Sequence, residues 1–231
     1  MAGLFLVLEG GEGSGKTTQA RLLYTRLMQE GRTPLLLHEP GGTPLGEQVR
    51  RLLMAERGNQ GRRQSGIEPL TELLLFSSAR AELVAKVLGP ALQEGRVVVC
   101  DRFTPSTVAY QGYGRGLPLD TIATLNRLAT EGLQPDLVIL LDITPEDALR
   151  RVTAQGSLLE EARAVEGRGR QDQEGLRRFE QEPLAFHRKV REGYLEQAAA
   201  DRERWLVVDG RLSQEAIAEA IWSRVGPLLT G

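Results

Sequence analysis

Residues 4–17 read LFLVLEGGEGSGKT: a short apolar run, one glutamate, and then Gly10-Gly11-Glu12-Gly13-Ser14-Gly15-Lys16-Thr17. The glycine-rich part fits the pattern G-x-x-x-x-G-K-[ST], a loop whose backbone amides turn inward around phosphate oxygens. Such a loop needs glycines because a β-carbon would obstruct the dihedrals and the close approach to the anion. The run before it reads as a strand over 4–8, and from residue 16 the period becomes helical to about 30. The loop therefore opens a helix, whose free amides and dipole add to the anion site. Lys16 would bring an ammonium to the β- and γ-phosphates, and the Thr17 hydroxyl, with Thr18 after it, is suited to a site where Mg²⁺ accompanies ATP or GTP.

Beyond this segment, four more apolar runs rich in Val, Leu and Ile occur at 33–37, 96–100, 137–141 and 205–208. They alternate with helical stretches at about 16–30, 45–56, 67–93, 104–112, 119–131, 145–154, 175–200 and 213–228. Alternation of this kind predicts an α/β fold: a five-stranded parallel sheet with helices on both faces, in the three-layer arrangement that places a phosphate loop at a strand-to-helix turn. Each run is too continuous for a half-exposed strand, so all five are expected to be buried. Ser213 before Ala216, and Thr144 before Pro145 and Glu146, read as helix starts, where a hydroxyl caps free amides and proline fits the first turn. No repeat and no interdomain linker is visible, which gives one domain over 1–231.

Composition excludes several classes. With 29 basic and 31 acidic side chains in 231 residues, no net field draws the chain to a nucleic-acid backbone or an anionic membrane. The N-terminal apolar run has no basic region before it and is too short to span a bilayer or serve as a signal core, so a cytoplasmic location is expected. Cys100 is the single cysteine; it suits a reducing compartment, and its place in an apolar run predicts a buried thiol.

A second carboxylate is expected beside the metal, at the end of a neighbouring strand. Asp101 after VVVC and Asp142 after LVILL both qualify, and strand pattern alone does not separate them. Arg102 favours Asp101, since a cation there could bind an acceptor phosphate close to the metal. Two polar stretches rich in Gly and Arg, 57–66 and 156–175, interrupt the pattern. The first reads as a solvated loop; the second, arginine-bearing and expected near the phosphates, reads as a mobile lid.

Four further segments bear on the acceptor: His38-Glu39-Pro40-Gly41-Gly42-Thr43, Glu72-Leu73-Leu74-Leu75-Phe76-Ser77-Ser78-Ala79-Arg80, Asp101-Arg102-Phe103, and Ser106-Thr107-Val108-Ala109-Tyr110-Gln111-Gly112. With GGEGSGKTT, and with LDITPEDALRR and FHRKVREGYLEQA downstream, they resemble the signature set of the thymidylate kinase family in order and approximate spacing. That resemblance implies transfer of the ATP γ-phosphoryl group to dTMP, with ATP as co-substrate, Mg²⁺, and commonly a homodimer. It implies that Phe76 stacks on a pyrimidine while Arg80, one turn on, reaches the carbonyl edge, and that Arg102 holds the 5′-phosphate. It also implies that Thr107 hydrogen-bonds the thymine ring, that Tyr110 presses where a 2′-hydroxyl would project, and that Gln111 supports them. Glu12 would lie near the acceptor sugar and the metal, and Glu39 with Pro40 would line the same pocket. The blander alternatives are Phe76 as core, Arg80 as a solvated charge, and Glu39 as the cap of the helix near Leu45. The long 67–93 helix carries an apolar stripe, Leu70, Leu73, Leu74, Leu83, Val84, Val87 and Leu88, that core packing or a subunit interface would use.

Catalysis would then rest on positioning and charge neutralisation by Lys16, Arg102 and a lid arginine. The lid departs from the family's pattern: Gln155 stands before Gly156 where an arginine is usual, and Arg177-Arg178 replaces an Asp-Arg pair. Arg163, Arg168 and Arg170 are candidate replacements, Arg170 favoured for lying in the GRGR turn. His38 stands where the family generally has arginine, and is not read as catalytic. Two other readings share the phosphate loop: a kinase for another nucleotide or a deoxynucleoside, and a nucleotide-dependent switch. Base selectivity separates the first, and acceptor-dependent ADP release the second.

Overall fold

Strand β1 (Leu4–Glu9) is buried on both faces because its side chains alternate between two helical layers. Leu6 and Leu8 pack with Ala20, Leu23 and Leu27 of α1 (Lys16–Gln29) and with Ile217, Ile221 and Val225 near the C-terminus. Phe5 and Val7 pack on the other side with Leu83, Val84, Leu88 and Phe103. Each such side chain contributes about 1.5–3 kcal/mol on leaving water, so a run without polar interruption is what this position requires. A computed structural model describes residues 3–54, 66–153, 179 and 181–229.

Around β1 the described strands form a parallel sheet in the order β2-β3-β1-β4-β5, with β2 Leu35–His38, β3 Val97–Asp101, β4 Leu137–Asp142 and β5 Trp205–Asp209. The expected α/β class and five-stranded parallel sheet are present. Two details differ. Strand β2 begins at Leu35 and not at 33, because Pro34 has no amide to give to a ladder. The outer strands β2 and β5 are only partly buried, and Val207 is exposed, since an edge strand lacks a neighbour on one side.

The other helices are α2 (Pro44–Met54), α3 (Pro69–Leu83), α4 (Thr104–Thr107), α5 (Leu119–Thr130), α6 (described over 145–153), α7 (Leu184–Ala200) and α8 (Gln214–Val225). The single helix expected over 67–93 begins at Pro69, passes through a π-helical turn at Val84–Leu88 and ends in Gly89–Gln93. Likewise, α4 is α-helical for only four residues before it widens into a π-helix over Val108–Gly114. The 175–200 helix is described from Leu184, just after Pro183, and 175–178 lie outside the described residues. Both read helix starts are formed: Ser213 Oγ accepts from the Ala216 amide at 3.2 Å, and Thr144 Oγ1 from that of Asp147 at 3.2 Å. Among the described residues no helix is long and apolar enough to cross a membrane.

Parallel strands put all their C-terminal ends on one edge of the sheet, and here they end in Glu9, His38, Asp101, Asp142 and Asp209. Register brings Leu8 opposite Asp101 and His38 opposite Asp101, so the loop that follows β1 opens beside the β3 carboxylate. That edge is where ligands of open α/β sheets bind.

Candidate active site

The phosphate loop takes its shape from glycines, two of which, Gly10 and Gly13, have no room for a side chain. Gly10 has φ 146°, and a β-carbon on it would lie 2.8 Å from the Leu141 carbonyl oxygen. Gly13 has φ 71°, and its β-carbon would lie 2.8 Å from the Ala148 carbonyl of α6. Gly11 and Gly15 have open space there, and Gly15 precedes the first turn of α1 in a left-handed conformation. Ser14 is buried, and its hydroxyl has no protein partner among the described residues. The Lys16 ammonium bonds the Gly11 carbonyl at 3.2 Å and lies 4.0 Å from Glu12. Thr17 and Thr18 are exposed in the first turn.

The strand-end carboxylates are employed differently. Asp142 is held by both nitrogens of the Arg191 fork, at 2.7 and 2.8 Å, and so has a structural partner. Asp101 accepts from the Thr17 hydroxyl at 2.5 Å through one oxygen, while its other oxygen is buried without a partner among the described residues. A hydroxyl and a half-satisfied carboxylate in contact, beside a phosphate loop, fit a hard cation. Among the described residues no three His, Cys, Asp or Glu side chains are grouped to cage a metal by themselves, so phosphate oxygens would have to supply the remaining ligands.

Facing the loop is Arg102, whose backbone is held at φ 74°. Its Nη2 donates to Glu12 at 2.7 Å and to the Tyr110 hydroxyl at 3.1 Å, and Tyr110 donates to the same Glu12 oxygen at 2.9 Å. Burial by itself would raise the Glu12 carboxyl; Arg102, Lys16 and the Tyr110 hydrogen bond overcome it and hold the pKa at about 2. Burial also pushes the Tyr110 phenol upward, so it remains a neutral donor.

A second cluster lies deeper. Arg80 is buried, and Glu39 (2.8 Å), Asn126 (2.8 Å), the Phe103 carbonyl (3.3 Å) and Thr107 (2.9 Å) take four of its five hydrogens. It is therefore no solvated charge. One Nη1 hydrogen remains among the described contacts. Glu39 keeps one oxygen buried and, among the described residues, unpartnered, and burial lifts its pKa to about 7 against the pull of Arg80. The cap of α2 is Thr43, which accepts from the Gly46 amide at 2.9 Å, so Glu39 does not cap it.

Phe76 is half-buried, its ring 6.4 Å from that of Phe179, which also meets Tyr110 edge-on at 5.5 Å. Gln111 donates to buried Glu72 at 2.8 Å, and Arg115 binds Glu72 as well. The structure thus brings Glu12, Lys16, Thr17, Asp101, Arg102 and Tyr110 together and joins Glu39, Arg80 and Thr107 behind them, while Gln111 bonds Glu72, which is in neither cluster. His38 is half-exposed and lies 3.0 Å from Glu47. Arg163, Arg168, Arg170, Gln155 and Arg177-Arg178 lie outside the described residues. Cys100 is fully buried.

Sequence reading missed Glu9, Tyr194 and Asn126. Glu9 had a signal: a charge closing a wholly apolar strand must find partners inside the protein.

A family model described as thymidylate kinase matches residues 8–221. The chain belongs to the thymidylate kinase family. A thymidylate kinase of Synechococcus sp. (strain JA-2-3B'a(2-13)) is 47% identical over 226 residues, covering 98% of this chain and 96% of that protein. One from Solidesulfovibrio magneticus is 43% identical over 226 residues, covering 98% and 100%. A crystal structure of the family's member from Ehrlichia chaffeensis superposes with a TM-score of 0.72 at 28% identity, covering 98% of this chain and 100% of that one.

Proposed function

We propose that this protein transfers the γ-phosphoryl group of ATP to dTMP, releasing dTDP and ADP, with Mg²⁺ as the accompanying ion. Family membership supports the reaction. The observation that carries the reading in this chain is the facing of the two anion sites: the phosphate loop with Lys16 on one side, Arg102 with Glu12 and Tyr110 on the other.

The acceptor phosphate is already a competent nucleophile, so the residues are required to bind, align and neutralise. Lys16 and the loop amides take the triphosphate. Arg102 takes the acceptor phosphate, the ring of Tyr110 covers the sugar, Phe76 stacks on the base, and Thr107 or the remaining Arg80 hydrogen donates to a base carbonyl. Glu39 lines the base end of that pocket. Thr17 and Asp101 are the residues to hold Mg²⁺, which when bound to the phosphates neutralises charge developing on the transferred group. ADP release should be measured with MgATP and each common nucleoside and deoxynucleoside monophosphate at matched concentration. The expected result is stimulation by dTMP far above dUMP, dCMP, UMP and the purine nucleotides. Stimulation by none would sink the acceptor assignment.

The same proposal includes one domain, a cytoplasmic location, in keeping with the buried free thiol of Cys100, and a homodimer. Of the apolar stripe on α3 and the π-helical turn after it, Leu73, Leu83, Val84 and Leu88 are in the core, but Leu70 and Leu74 are exposed, as are Leu45 and Leu52 on the adjacent α2. Leucines left outside on two neighbouring helices are suited to a self-complementary face. Light scattering should return twice the mass of the chain; a monomeric mass would remove this part.

A further inference from the structure

Glu9, the last residue of β1, is fully buried and takes no part in the chemistry above. A buried carboxylate is costly unless its lone pairs are filled. Oε1 accepts from the amides of Phe103 (2.9 Å) and Ser106 (3.2 Å). Oε2 accepts from the hydroxyls of Ser106 (2.7 Å) and Tyr194 (2.8 Å), the latter arriving from α7. These two hydroxyls are 2.9 Å apart, and either could donate to the other. A carboxylate behind both gives each hydrogen a better acceptor and leaves lone pairs facing outward.

Arg102 meets those lone pairs. Its Nη1 donates to Ser106 Oγ and to Tyr194 Oη, both at 3.1 Å, so both Nη1 hydrogens are committed. Nη2 is on Glu12 and Tyr110, and Nε has no acceptor among the described residues. Nε and Nη2 form the side of a guanidinium that takes two oxygens of one anion at once. The amide bonds from Phe103 and Ser106 to Glu9 also hold the turn that Arg102 enters in a left-handed conformation, which is unfavourable for a side chain of its size.

We propose that Glu9, acting through the Ser106 and Tyr194 hydroxyls, is a positioning residue: it fixes the rotation of the Arg102 guanidinium so that the Nε–Nη2 edge is presented to the acceptor phosphate. The proposal rests on the reading of dTMP as acceptor and deepens it. Glu9→Gln keeps the shape but sets an amide against the hydroxyls, which turns at least one of their hydrogens toward Arg102. Tyr194→Phe keeps the ring and removes one relay.

The test uses the full chain, comparing wild type, Glu9→Gln, Tyr194→Phe and the double variant. Dissociation constants are measured for dTMP and for thymidine, which has no phosphate, together with KM and kcat for dTMP and MgATP. Loss of an oriented charge-assisted contact should weaken dTMP by ~10- to 100-fold in Glu9→Gln. Thymidine binding and the KM for MgATP should change less than about twofold. Tyr194→Phe should show a smaller loss of the same kind, and the double variant should match Glu9→Gln, because the residues act in one chain. If Glu9→Gln does not fold, Tyr194→Phe carries the test alone. Equal losses for dTMP and thymidine, or a lower melting temperature with dTMP binding unchanged, would overturn the proposal while leaving the acceptor reading intact. No turnover of dTMP by the wild type would overturn that reading and the proposal with it.

Discussion

Arg102→Met should lower kcat/KM for dTMP by ~10³-fold or more, the scale on which an arginine placed on a transferring phosphoryl group acts. The variant loses two things at once. The acceptor phosphate has no fork to hold it, and Glu12 loses the partner 2.7 Å away that does most to keep it ionised. Burial, which alone pushes that carboxyl upward, then leaves it protonated or repelling the incoming phosphate. Arg102→Lys should recover little, because an ammonium cannot bond Ser106 and Tyr194 on one edge and an anion on the other. Steady-state kinetics with both substrates checks this: the KM for MgATP should move little, since Lys16 and the backbone amides of the loop are untouched. A fall of less than about tenfold in kcat/KM would remove Arg102 from the acceptor site, given the scale of such contacts.

Arg80→Met should destabilise the fold by about 3–5 kcal/mol at pH 8, the cost of leaving one member of a buried ion pair alone. The size of the loss should depend on pH, and its sign follows from Glu39. The folded pKa of Glu39, about 7, lies above its ordinary value of 4.5 because burial outweighs Arg80. Its contribution to stability is therefore fully present below about pH 4.5 and is lost as pH rises through about 7. Without Arg80 the carboxyl titrates higher still, so the decline continues further into the alkaline range. At pH 5 Glu39 is protonated in the folded state of both proteins, and the variant's deficit should be much smaller than at pH 8. Denaturant unfolding at the two pH values measures the difference. Equal deficits would show that Arg80 stabilises through Asn126, Thr107 and the Phe103 carbonyl and not through Glu39.

What could be read from the sequence was what the chain decides locally. Residues 4–17 contain a strand, a phosphate loop and a helix start, each fixed by neighbours a few positions away, and the structure has all three in those places. Parallel packing followed from apolar runs without alternation, since a strand such as Val97–Asp101 has a layer on either side. Outer strands were harder, because the run that forms β5 is as apolar as those at the centre and only sheet order tells them apart. The π-helical turns at 84–88 and 108–114 left no mark either: such a turn depends on what surrounds the helix more than on its residues. Arg80 shows the same limit within the site. Its partners Glu39, Asn126 and Thr107 are 41, 46 and 27 residues away, so no spacing announces that it is buried with four of its five hydrogens taken. Tyr194, 185 residues from Glu9, is the extreme case.

The contact between Glu12 and Arg102 sets an anion of the chain's own against the guanidinium. Chloride, sulfate or free phosphate would have to compete with a tethered carboxylate for Nη2, and would gain nothing elsewhere in return. A nucleotide brings base and sugar contacts that offset the exchange. Discrimination against small anions thus follows from a contact within the chain, and the arginine favours a ligand that is also recognised at its other end.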